Sequence, residues 1–143
     1  MRQAPDAEPI PPTQLTTTVS ARVHRHDAHL GLSTLQFADG ELRVPMVPAP
    51  VGAGVMVEID ARDVSVALTR PMDVSITNRL PGTVIEVERL AAPYARIRFD
   101  LGSTLIDSLV TWESVERLAL VPGLRAWAMI KTVAIHVGTK LRG

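Results

Sequence analysis

Val55-Met-Val-Glu-Ile-Asp-Ala-Arg-Asp-Val-Ser-Val-Ala-Leu68 decides how the chain is read, because it recurs as Ala126-Trp-Ala-Met-Ile-Lys-Thr-Val-Ala-Ile-His-Val137. Both stretches tend to alternate apolar and polar residues, as half-buried strands do. Each follows a loop containing Pro and Gly. A period of about 60 to 70 residues is too long for a solenoid repeat and suits duplicated five-stranded units.

Outward from this repeat the period stays at two, in runs rich in Val, Ile and Thr bounded by Gly, Pro and Asp. In the first half the strands are expected over residues 18–24, 33–37, 41–44, 55–59 and 65–68, with Ala38-Asp-Gly40 as a tight hairpin turn. In the second they are expected over 83–88, 95–99, 104–110, 126–131 and 134–137, with Asp100-Leu-Gly-Ser103 as the matching turn. Only the second half has a helix signal. There Thr111 can cap the first turn, Glu113 favours its positive end, Val115, Leu118 and Leu120 face inward, and Pro122-Gly123 stops it. In the first half a loop over residues 45–54, with three prolines and two glycines, takes that position. Five short strands with a helix between the third and fourth is the order of an OB-type barrel. The expected fold is therefore all-β, with tandem five-stranded OB-type barrels and one short helix in the second. The expected organisation is a Pro-rich linker or disordered tail at 1–14, a first subdomain at 15–70 and a second at 71–143.

Composition narrows the function. Fifteen basic and fifteen acidic residues cancel, so the chain lacks the net positive charge that draws a domain to phosphate backbones or anionic lipid. Aromatics are only 3% of residues, which argues against base stacking on Tyr94, Arg96, Arg98 and Phe99. Without cysteine there are no disulfides or thiolate metal sites, and the cytoplasm is the default compartment. The first twelve residues hold four prolines and no apolar run, so they read as neither signal peptide nor membrane span. His24-Arg-His-Asp-Ala-His29 could hold a metal, but reads more simply as a polar strand end entering a turn. No nucleophile–base set or acid–base pair emerges, so no enzyme activity is expected of these residues.

The chemistry that remains is that of a small oxyanion. A dianion in a partly dry site must have its oxygens satisfied by fixed donors and one or two cations. Ser75, Thr77, Thr111, Ser114 and Thr132 offer hydroxyls, Lys131 a cation, and the helix start free N–H groups. Taken alone, the same residues can be a cap, strand decoration and a solvated lysine.

Ser75-Ile-Thr-Asn78, Gly82-Thr-Val84, Thr111-Trp-Glu-Ser114 with Leu118 and Leu120, and Lys131-Thr132 together resemble the pattern of a Mop, or molbindin-like (TOBE), domain. Leu42-Arg-Val-Pro45 and Ala61-Arg-Asp-Val-Ser65 resemble the carboxy-terminal regulatory segment of the ATP-binding subunit of molybdate ABC transporters. The resemblance implies a di-Mop-like protein that forms a homodimer and holds molybdate or tungstate between protomers. Ser75, Lys131 and Thr132 would come from one protomer and Thr111 and Ser114 from its partner, with Arg117 nearby; Thr77 and Asn78 complete the implied anion-binding set. Many relatives have Ser-Ala-Arg-Asn where this chain has Ser75-Ile-Thr-Asn78, so a guanidinium contact is absent at Thr77. In the first half Arg62 and Asp63 are taken as the counterparts of Lys131 and Thr132, and the carboxylate predicts no anion site there. The implied context is a transporter ATPase at the cytoplasmic side of the inner membrane. No Gly-x-x-x-x-Gly-Lys-Ser/Thr phosphate loop occurs in the 143 residues. The competing expectation is a structural dimerisation module whose anion site has decayed.

Overall fold

The computed structural model describes residues 15–70 and 72–138. The linker reading for residues 1–14 falls outside them. Ten strands form two five-stranded antiparallel sheets: β1 (Thr16–Asp27), β2 (Leu32–Phe37), β3 (Gly40–Pro45), β4 (Gly54–Asp60), β5 (Val64–Ala67), β6 (Asn78–Arg89), β7 (Tyr94–Asp100), β8 (Leu105–Thr111), β9 (Arg125–Ile130) and β10 (His136–Gly138). One helix, α1 (Trp112–Leu118), follows β8. The all-β expectation, the two hairpin turns and the single helix of the second half all hold.

The sheets do not divide the sequence at residue 70. Their orders are β10-β4-β1-β2-β3 and β5-β9-β6-β7-β8, so the fifth strand of each comes from the other half of the chain. Val64–Ala67 pairs with residues 127–130 of β9, and His136–Gly138 pairs with residues 56–58 of β4. The strand reading had left each of these with its own half. In the second sheet Ser108 Oγ donates to Val64 O across the outermost strands β8 and β5, drawing the sheet toward closure. The two halves share one apolar core, which includes Val19, Leu35 and Val57 from one sheet and Val84, Phe99 and Ile130 from the other.

Duplication is visible at the level of single hydrogen bonds. β1 and β6 each bulge one residue past Val23 and Val84. Beside the bulges, Val23 N–H donates to Ala53 O and Gly52 N–H to Val23 O; Val84 N–H donates to Leu124 O and Gly123 N–H to Val84 O. Gly52 and Gly123 sit at φ +92° and +96°, a region side chains rarely adopt. The connections preceding these glycines differ. Prolines at 48 and 50 keep helix out of the first. In the second, α1 is shorter than the sequence suggested: Ala119 turns left-handed at φ 53° and Leu120 N–H donates back to Val115 O, which ends the helix before Pro122.

Side chains also pin the halves together. Asn78 is buried; its Oδ1 accepts from Arg43 N (2.7 Å) and its Nδ2 donates to Arg43 O (2.9 Å). It thus satisfies the outer edge of β3 as another strand would. Asp39, in the β2–β3 turn, accepts from Ser103 N in the β7–β8 turn with both carboxylate oxygens.

Candidate functional site

Each half has a one-turn 3-10 crossover that passes from one sheet to the other, Ala61–Asp63 between β4 and β5 and Thr132–Ala134 between β9 and β10. Asp60 caps the first and Lys131 stands at the cap of the second. Lys131 therefore corresponds to Asp60, and the earlier pairing of Lys131 with Arg62 is corrected: aligning the crossovers moves it by two residues. The first-half residue at the position of Lys131 is thus a carboxylate, Asp60. It accepts Arg62 N (2.8 Å) and grips the Arg62 guanidinium through Nε (3.0 Å) and Nη2 (2.7 Å). The side-chain hydrogen bond from Arg62 holds the Asp60 carboxyl below its ordinary range, and in return the carboxylate raises Arg62.

The exchange of fifth strands brings the crossovers to one place. A cleft of about 220 Å³ is lined by Arg62, Asp63 and Ser65 from the first crossover and β5, by Met129, Lys131 and Ala134 from β9 and the second crossover, and by Ile76. Its size suits a small ion better than a drug-sized molecule. Arg62 and Asp63, which the sequence assigned to a separate, inactive first-half position, are thus a wall of the Lys131 cleft.

The remaining predicted residues divide. Lys131 is exposed and makes no ion pair among the described residues. Thr132 is half-buried, with Oγ1 enclosed and without a hydrogen-bond partner among the described residues. Ser75 and Thr77 are exposed on the segment that carries Ile76 past the cleft. Thr111 and Ser114 stand elsewhere: Thr111 Oγ1 accepts from Ser114 N and donates to Ser114 Oγ, both at 3.1 Å. Arg117 is exposed in the last turn of α1. Of the predicted residues Lys131 lines this cleft, and Ser75, Thr77, Asn78, Thr111, Ser114, Arg117 and Thr132 do not line it in the same chain. Asn78 spends its amide on Arg43, as described.

The motif around Asn78 is largely architectural. Pro81 lies on β6 before that strand's ladder with β7 begins at Thr83, where a missing N–H costs least. A Cβ on Gly82 would meet Leu101 Cδ2 at 2.9 Å and Asp100 O at 3.0 Å. Of the histidine run, His26 joins the first-half loop to β2: one ring nitrogen meets Ser33 Oγ (2.7 Å) and the other Ala49 O (2.8 Å), while Val47 N donates to Ser33 Oγ. Among the described residues no three His, Asp or Glu side chains are grouped to hold a metal, and no helix is long and apolar enough to cross a membrane.

Residues 74–137 match the sequence profile of the TOBE domain family. The chain is 37% identical over 118 residues to molybdenum import ATP-binding protein ModC 1 of Azotobacter vinelandii, covering 82% of this chain and 33% of that protein. It is 38% identical over 120 residues to ModC of Paramagnetospirillum magneticum, covering 84% and 33%. The chain spans about a third of the length of these curated relatives. The crystal structure of the cytoplasmic molybdate-binding protein ModG, with molybdate bound, superposes with a TM-score of 0.77 at 25% identity, over 87% of this chain and 96% of that one.

Proposed function

Residues 74–137 are a TOBE domain, in a chain homologous to the carboxy-terminal region of the molybdate importer ATPase ModC, and from that premise we propose that the protein binds molybdate or tungstate as a regulatory domain. The observation that carries this reading is Lys131, an ammonium with no ion pair among the described residues, at a small cleft where the duplicated position holds Asp60. The likeness to ModG with its molybdate bound supports the ligand.

In this reading Lys131 supplies charge and Ser75 and Thr132 supply hydroxyl donors. Thr111 and Ser114 reach the anion from a second protomer, with Arg117 close by, so the working unit is a homodimer. Thr77 lies beside the anion, and Asn78 holds the segment carrying Ser75 and Thr77 in place. The protein acts in the cytoplasm. Joined to a transporter ATPase, the domain senses the intracellular anion: binding favours one arrangement of protomers over another and restrains the ATPase. That control requires different affinities in the two arrangements.

The test is a thermal melt with molybdate, tungstate or sulfate at fixed ionic strength. Ligand at 100 times its dissociation constant adds about 2.7 kcal/mol, a rise of about 5–10 °C for a domain of this size. Elevation by molybdate and tungstate but not sulfate is the expected result; no elevation by any of them overturns the reading. A second reading, a structural dimerisation module with a decayed site, is favoured by the Thr111 and Ser114 hydroxyls bonding to each other. Under that reading none of the three anions moves the melt.

A further inference from the structure

Resting on the anion-binding reading above, we infer that Arg62, delivered by the exchanged segment from the first half of the chain, is a second cation of the Lys131 site, and that Asp60 is its positioning residue. A dianion facing Lys131 alone keeps an uncompensated charge in a small, partly enclosed cleft, which is costly. Arg62 lines the same cleft. Its guanidinium is already held in a plane: Asp60 occupies Nε and Nη2, and no described residue takes a hydrogen bond from Nη1. A planar fork fixed on one side and open on the other presents its remaining N–H donors to an oxyanion with little further ordering. Ser65, exposed on the same wall, adds a hydroxyl. Asp63 counts against the anion, and with Asp60 bound to Arg62 the two cations stand beside two carboxylates. Consequently the site is made by both halves of the chain, and part of its wall lies outside the residues that match the TOBE domain. Occupation ties the two crossovers together.

Isothermal titration of the full chain with sodium molybdate at fixed ionic strength, using the unmodified protein, R62Q, D63N, D60N, D60N/R62Q and K131Q, tests this. R62Q is expected to weaken binding by about tenfold or more, the loss of one charge-assisted hydrogen bond. D63N should tighten it several-fold. D60N should weaken binding only while Arg62 is present, so that D60N/R62Q binds no more weakly than R62Q; a merely structural Asp60 would not show that dependence. Far-ultraviolet circular dichroism of each variant without anion checks that the sheets are intact. If the unmodified protein binds, K131Q abolishes binding and R62Q stays within about twofold of the unmodified protein, the inference about Arg62 is overturned while the anion-binding reading stands. If the unmodified protein does not bind molybdate, both fall.

Discussion

The crossovers Ala61–Asp63 and Thr132–Ala134 have the same backbone and opposite chemistry. Both are single 3-10 turns entered and left in extended conformation. At the cap of one stands a carboxylate locked to the arginine two residues on; at the cap of the other stands a lysine with no side-chain capping bond. The connections between third and fourth strands contrast in the same way, an apolar Pro/Gly loop in one half and a capped helix in the other. Duplication has kept the hydrogen bonds that fix the turns and released the side chains at their surfaces. Backbone geometry alone therefore does not tell the two crossovers apart; the sign of the side chain at the cap does.

The largest difference should appear between the two phenylalanines, Phe99 in the second sheet and Phe37 in the first. Phe99 is completely buried, whereas Phe37 is only partly covered. Phe99→Ala is expected to cost about 3–5 kcal/mol and Phe37→Ala clearly less, measured by urea unfolding of both variants. Equal losses would show that the two phenylalanines are buried alike in solution.

Next in size is Asn78→Ala, which removes both side-chain bonds to Arg43 and leaves that edge of β3 unsatisfied. A loss of about 1–3 kcal/mol follows, with faster amide exchange at Arg43 than elsewhere in β3. A uniform rise in exchange over the whole chain would deny Asn78 its local role between halves.

The smallest effect distinguishes the crossovers by pH. The folded Asp60 carboxyl lies below its unfolded value, chiefly through the Arg62 hydrogen bond. Its contribution is therefore present above the unfolded value of about 4 and is lost as pH falls through the lower, folded one. The melting points of the unmodified protein and Asp60→Asn should differ slightly at pH 7 and converge in acid, the pair being solvent-screened. A pH-independent offset for Asp60→Asn would mean that the cap, rather than the ion pair, matters.

Much of the fold was legible because alternation, the Ala38-Asp-Gly40 hairpin and the repeat around Val55 and Ala126 are local signals. The exchange of β5 and β10 was not. Alternation along Val64–Ala67 or His136–Gly138 specifies which face is buried, but not which neighbour supplies the ladder. That one missing fact misplaced Arg62 and Asp63, whose cleft is formed only after the strands have crossed. At the candidate site Lys131 was legible from its motif. Asn78 was read as chemistry because a short polar motif looks the same whether its amide meets a ligand or a neighbouring backbone.

The crossed strands also set the timing of assembly. β4 acquires its outer neighbour only when His136–Gly138 exists to pair with residues 56–58. At a translation rate of about 5–20 residues per second, the interval between making Glu58 and making His136 is roughly 4–16 s. During that time the first sheet is born with an open margin that its own half cannot seal. Neither half can finish alone, so a nascent chain that stalls between them leaves a sticky intermediate on which a chaperone, or another unfinished copy, has several seconds to act.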